Sequence, residues 1–338
     1  MNVDAARAPI AGQKIAVIGA GLAGLTAART LQQHGARVTV FDKGRGVGGR
    51  MATRRIDEYR FDHGAQFFTA RSEGFLREVD TLQARGIVAP WPARWGRKDC
   101  DGLIAAVTQE PRFVGVNGMN SLPRALAEGL DIVLNAEVTD LSRRGEQWSL
   151  ECSVKSETSG YDTVILAIPS PQAVALLTGI SDFATEVAAA TYAPCWAVMA
   201  RFATTLPLAF DAISIDDGGP LRWVARNSGK PGFSSEEEGW TLHATPDWSL
   251  ANIEESAEFV GDFLLGEFTQ LFGITASPLH VVAHRWRYAL VLASAGVPFF
   301  WDAGLRIGAC GDWCLGPRVE AAFDSGLALA QHLLGPAA

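Results

Sequence analysis

The string IAVIGAGLAGLTAA (residues 15–28) constrains this chain more than any other feature. A continuous apolar run, Ile15 to Gly19, is what a parallel strand buried on both faces requires. Gly19-Ala20-Gly21-Leu22-Ala23-Gly24 follows at once, and Leu22, Leu25, Ala28 and Leu31 then recur at helical spacing. In that context the three glycines have separate tasks. Gly19 permits a tight turn, Gly21 lets backbone approach a pyrophosphate, and Gly24 lets helix and strand pack closely. The helix start adds free N–H groups and a positive dipole end. His34-Gly35 stops the helix, and RVTVF (37–41) reads as the next strand, so a right-handed parallel β-α-β unit is expected.

Asp42 ends that second strand, 18 residues after Gly24. An acid there accepts the hydroxyls of an adenosine ribose and repels a 2′-phosphate, which points to FAD or NAD and away from NADP. Lys14 before the apolar run mimics a signal peptide, but the regular glycines and Arg29 favour strand, turn and helix. The longest apolar stretch elsewhere is broken by Pro169 and Pro171, so no membrane span is expected.

Composition narrows the partners. The net charge of −8 argues against nucleic acid and anionic membranes. Five scattered cysteines do not form a disulfide framework, and Cys310 and Cys314 miss the C-x-x-C spacing. Reduced thiols, no metal and a cytoplasmic protein, monomeric or homodimeric, are the expectations.

GRGVGGRMATRR (44–55) places four glycines and four arginines just beyond the ribose acid. Glycines admit close backbone approach, and a guanidinium pairs with phosphate oxygens. Gly48-Gly49-Arg50 with Thr53 resembles the R-x-G-G-R-x-x-T loop of the amine oxidase-like flavoproteins. Cys310-Gly311-Asp312 with Glu320-Ala321-Ala322 and Ser325-Gly326 resembles their closing flavin motif, and Val138 resembles the position whose backbone meets the adenine. The strings FDHGAQFFTAR (61–71), RWVARNSGKPG (222–232), TLHATPDWS (241–249) and AHRWRYAL (283–290) resemble the bacterial renalase branch of that group.

The resemblance implies an α/β fold, with a glutathione-reductase-type Rossmann FAD-binding domain and a mixed-sheet α+β substrate domain of the amine oxidase/p-hydroxybenzoate hydroxylase type. The FAD-binding domain is expected from residues 1–70, 115–190 and 300–338. The substrate domain is expected from 71–114 and 191–299. Non-covalent FAD would meet Gly19, Gly21, Ala23, Gly24, Asp42, Lys43, Gly49, Arg50, Met51, Ala65, Gln66, Phe67, Val138, Gly311, Asp312, Glu320 and Ala321. Arg50 is expected on the pyrophosphate and Asp312 on a ribityl hydroxyl.

The implied activity is oxidation of isomeric, 1,2-dihydro forms of NAD(P)H by hydride transfer to flavin, with O2 reduced to H2O2. A flavin monoamine oxidase or related desaturase is the alternative. A dihydropyridine leaves as a stable aromatic cation, so orientation and dry surroundings suffice and no dedicated base is needed. Arg222, Arg226, Lys230, Arg285 and Arg287 form a cationic set suited to substrate phosphates. Trp223, Trp286 and Tyr288 offer aromatic faces that suit an amine as well. His243 and Asn227 either orient the nicotinamide carboxamide or belong to the core. With them, Arg226, Trp286, Arg287 and Tyr288 are the candidate substrate residues. The tract SSEEEG (234–239) reads as an exposed loop.

Overall fold

The computed structural model describes residues 10–106, 110–233 and 238–335. A six-stranded sheet runs in the order Phe300–Asp302, Ile307–Ala309, Thr163–Leu166, Lys14–Ile18, Arg37–Phe41, Asp131–Val133. All its pairings are parallel except that of Phe300–Asp302 with Ile307–Ala309. The apolar run beginning at Ile15 serves two cores. Ile15 and Val17 pack with the first helix, Leu22–Gln33. Ala16 and Ile18 face the opposite way, towards Trp148, Val164 and Trp313. Alternate side chains thus enter different cores, and both faces must be apolar.

The ends of the chain meet here. The last helix, Val319–Leu334, packs against the first. Gly326 makes this possible, because a Cβ there would lie 2.2 Å from the Ala23 carbonyl oxygen.

Strands Val138–Arg144, Gln147–Cys152 and Lys155–Tyr161 form a separate antiparallel sheet. A turn at Arg144-Gly145 joins the first two, with Gly145 at φ 65°. Residues 131–133, just before this sheet, extend the parallel sheet beside Arg37–Phe41.

A seven-stranded sheet carries the middle of the chain. Its order is Pro278–Ala293, Thr191–Phe202, Glu238–Ala244, Leu221–Arg226, Ala212–Asp216, Trp95–Asp99, Gly102–Ala105. One face packs on helix Ala257–Phe272 through Val198, Trp240, Leu242, Val260 and Leu264. The other face receives the hairpin Thr53–Ile56/Tyr59–Asp62, where Tyr59 and Phe61 meet Met199.

The SSEEEG reading needs correction at its end. Residues 234–237 lie outside the described residues, but Glu238 is buried and opens a strand. Its carboxylate accepts the Trp240 indole N–H at 2.6 Å, so a local partner makes the buried acid tolerable. Among the described residues no helix is long and apolar enough to cross a membrane.

Candidate FAD and substrate site

The glycine turn has the geometry of a phosphate cradle. Gly19 sits at φ 109°, and a Cβ there would lie 2.4 Å from the Ala167 carbonyl oxygen. A Cβ on Gly24 would lie 2.0 Å from the Gly19 carbonyl oxygen. Gly21 differs, since a Cβ there would meet nothing within 4 Å. Open space therefore faces the helix start, which has Gly21 as N-cap, no side-chain cap and no acid in its first turn. Its first N–H groups and dipole end are available to an anion.

Asp42 binds this loop. Its carboxylate accepts the Ala20 and Gly44 N–H groups, each at 2.6 Å. Each oxygen keeps acceptor capacity for a hydroxyl. Lys43 faces Glu137 at 3.7 Å with both side chains more than half exposed, an arrangement of little energetic weight. The second glycine loop lies against the first. Gly48 N–H donates to the Ala20 carbonyl at 2.8 Å, and a Cβ on Gly49 would sit 3.5 Å from Gly21 Cα. Met51 is buried behind it, and Val138 is buried at the start of its strand.

Arg50 and Asp312, expected at different parts of the cofactor, are brought together. Arg50 donates to both Asp312 oxygens at 2.8 and 2.5 Å and reaches the Ala289 carbonyl at 3.4 Å. Asp312 follows Gly311 at the start of the short helix Asp312–Leu315. The turn 62–66 rests on the same place. Ala65 N–H donates to the Arg50 carbonyl at 2.9 Å, and a Cβ on Gly64 would lie 2.0 Å from that oxygen.

Four expected cofactor residues have side chains turned to the protein interior. The Gln66 amide turns inward, donating to the Asp62 and Gly64 carbonyls and accepting from Lys230 Nζ at 3.3 Å. The backbone at Ala65–Phe67 is what this turn offers a ligand. The buried Glu320 carboxylate accepts the Arg71 and Ser72 N–H groups at 2.5 and 2.6 Å, and so anchors the chain entering helix Glu73–Ala84. Ala23 lies beneath Gly326 in the packing of first helix on last, and Ala321 is likewise buried.

The expected substrate residues divide similarly. Asn227 is fully buried, accepting the Asp62 N–H at 3.0 Å and donating to Thr241 Oγ1 at 2.7 Å. Arg226 donates to the Leu208 carbonyl at 3.0 Å and lies 3.6 Å from both Asp211 and Glu238. Arg285 and Arg287 share Glu254. Lys230 lies on Asp62 at 3.0 Å, both side chains wholly buried. Four of the five cations expected for phosphate binding thus have acceptors within the protein; Arg222 is exposed.

His243 and Trp286 lie on one face of the seven-stranded sheet, in the rows of Ala197 and Cys195. His243 Nε2 lies 3.2 Å from the His63 carbonyl, which also accepts the Trp286 indole N–H at 2.9 Å. Tyr288 packs edge-on against Tyr192, whose hydroxyl accepts the Ser170 N–H and is pushed up to about 12 by burial. Burial pushes His243 down to about 4 and His63 down to about 3, with His284 and Arg54 adding to the effect on His63. Both imidazoles are neutral at neutral pH. His63, His284 and Asp62 escaped the sequence reading. His63 and Asp62 stand within FDHGAQFF, but no local spacing says what they touch.

The FAD fit rests on this chain's own shape: an open helix N-terminus at Gly21, a second glycine loop against it, and the Gly311-Asp312 turn beside Arg50. Buried Cys314, its thiol pushed up to about 12 by burial, is not a reactive thiolate and suits a non-covalent cofactor. Among the described residues no group of three or more His, Cys, Asp or Glu could hold a metal ion.

Fold and site define an α/β protein with a dinucleotide-binding turn. The chain belongs to the flavin containing amine oxidoreductase family, whose model matches residues 87–334. A model of the NAD(P)-binding Rossmann-like domain matches residues 17–79. The cofactor is FAD, and the family is one of flavin-dependent oxidoreductases.

The fold is similar to that of a putative protoporphyrinogen oxidase from Exiguobacterium sp. 255-15. That match has a TM-score of 0.77 at 16% identity and covers 94% of this chain and 98% of that one. It is also similar to putrescine oxidase bound to putrescine, with a TM-score of 0.71 at 14% identity over 94% of this chain and 98% of that one. At such identities the likeness is one of fold. A stretch of 84 residues is 51% identical to 4,4'-diapophytoene desaturase of Staphylococcus aureus (strain Newman), covering 22% of this chain and 17% of the desaturase. The match therefore spans under a fifth of that curated relative.

Proposed function

We propose that this protein is a renalase-like oxidase that takes hydride from isomeric, 1,2-dihydro forms of NAD(P)H and releases NAD(P)+. Bound FAD supplies the two-electron acceptor, whose reoxidation reduces O2 to H2O2. The supporting observation is the state of the ionisable groups around the 62–66 turn. Asp62 is neutralised by Lys230 and Asp312 by Arg50, while His63 and His243 are held neutral. An alkylammonium substrate gains no open carboxylate from these groups, and none is poised as a strong base. A dihydropyridine needs neither, because losing hydride leaves an aromatic cation. Its ring requires orientation and shelter from water, for which the half-buried face of His243 and Trp286 is suited.

The desaturase match and the putrescine oxidase fold favour a second reading, an amine oxidase-like enzyme or desaturase. Turnover in air separates them. The first reading expects peroxide formation driven by the 1,2-dihydro isomer and not by putrescine; the reverse pattern establishes the second.

A further inference from the structure

Phe67, Trp95 and Trp223 form an aromatic wall immediately beyond the 62–66 turn. Ring centroids lie 5.5 Å apart for Phe67 and Trp95, 5.7 Å for Phe67 and Trp223, and 6.0 Å for Trp95 and Trp223. Arg112 lays its guanidinium on this wall, 4.5 Å from the Phe67 centroid and 3.9 Å from that of Trp95. Its backbone is held in place. Trp91 N–H donates to the Arg112 carbonyl at 2.8 Å, and Phe113 exchanges two hydrogen bonds with Phe68 at 2.8 and 2.9 Å. Arg112 is thus tied to the segment that continues the turn.

The Arg112 guanidinium has no ion pair or hydrogen bond among the described residues, and partial burial lowers its pKa with no carboxylate to offset this. Trp223 Nε1 is buried and also lacks an acceptor. The contrast with Arg226, Lys230, Arg285 and Arg287 is sharp, since each of those has an oxygen partner. A buried donor without an acceptor, as at Trp223, is unfavourable, and native structures seldom leave one so. Contact with the two rings holds the guanidinium by cation–π attraction and makes no use of its N–H donors. A planar fork of N–H groups matches two oxygens of a carboxylate or phosphate.

We propose that Arg112 and Trp223 form an anion-recognition subsite, in which phosphate or carboxylate oxygens of the substrate accept from the guanidinium and the indole N–H. Phe67 and Trp95 hold the guanidinium in place. The inference rests on reading the adjoining turn as the place of oxidation, and it deepens that reading: the substrate carries an anionic group, and an alkylammonium end is repelled from this wall.

The test is calorimetric titration of the oxidised holoprotein with inorganic pyrophosphate, benzoate and putrescine. Pyrophosphate binding points to a phosphate substrate and benzoate binding to a carboxylate one; putrescine does not bind. Arg112→Leu weakens the anion at least tenfold. Arg112→Lys restores only part of it, because an ammonium lacks the fork. Trp223→Phe, which keeps the wall's shape, weakens it several-fold. The proposal is overturned if neither anion binds the wild type, or if a folded Arg112→Leu protein with the native flavin spectrum binds within twofold of it. If Arg112→Leu does not fold, unchanged affinity in Trp223→Phe overturns it instead. Anion binding that depends on Arg112 without flavin reduction by the dihydronicotinamide isomer retains the subsite and rejects only the proposed substrate.

Discussion

Lys230 Nζ lies 3.0 Å from Asp62 Oδ2, with both side chains completely buried. The Asp62 carboxylate also accepts from Thr53 Oγ1 at 2.7 Å and the Met119 N–H at 2.8 Å, while Lys230 reaches Gln66. The pair joins the hairpin beside the cofactor turn to the chain leaving the seven-stranded sheet. Removing one partner strands the other charge, so Lys230→Met should lose about 3–5 kcal/mol of stability. Adding Asp62→Asn should restore part of that loss. Chemical denaturation of the single and double variants measures it; additive losses would show that the two charges are not coupled.

The glycine positions make a paired prediction. Gly21→Ala points a methyl into open space, so the protein should fold with near-native stability and retain FAD poorly. Gly326→Ala drives a methyl to 2.2 Å from the Ala23 carbonyl oxygen, so it should destabilise the packing of the first and last helices. Melting temperature and flavin content after gel filtration distinguish the two effects.

Acid should weaken the fold through the buried imidazoles. His63 and His243 are held at about 3 and about 4, below the ordinary 6.5 of an unfolded histidine. Between those values the unfolded chain binds more protons than the folded one. Their effect is absent above the unfolded value, grows as pH falls through it, and levels off below the folded values. His63→Asn should therefore flatten the decline in stability from pH 7 to about 4 relative to wild type. Parallel curves for the two proteins would contradict the assignment.

Glu320 anchors backbone, so Glu320→Ala should lower stability by roughly 2–3 kcal/mol, the worth of hydrogen bonds to a charged acceptor. The absorption spectrum of bound FAD should not change. A shifted spectrum would place the carboxylate next to the cofactor after all.

The parts legible in sequence are those made by short-range rules. Gly19, Gly21 and Gly24 act within one turn, and Val319–Leu334 follows helical periodicity to its ends. The second glycine loop is legible only through its resemblance to the flavoprotein loop, because Gly48 acts on Ala20 and Arg50 on Asp312, far off in the chain. Long-range pairings were not legible. Asp62 and Lys230 are 168 residues apart, and nothing in RNSGKPG distinguishes a buried ammonium from one that meets a phosphate. Glu238 looked exposed because it ends an acidic run; its acceptor role depends on Trp240 sharing the same strand. The cations of the middle segment were counted by type, whereas their availability depends on Glu254, Asp62 and Glu238, which only the folded sheet brings near. Arg112 lies outside any recognised motif, and its place is set by Phe67 and Trp95.

The central claim is tested most directly by anaerobic mixing of the oxidised holoprotein with one equivalent of the 1,2-dihydro isomer of NAD(P)H. The account predicts full bleaching of the oxidised flavin band and release of one equivalent of NAD(P)+. Unbleached flavin, in a sample that putrescine or a polyene then reduces, would contradict it.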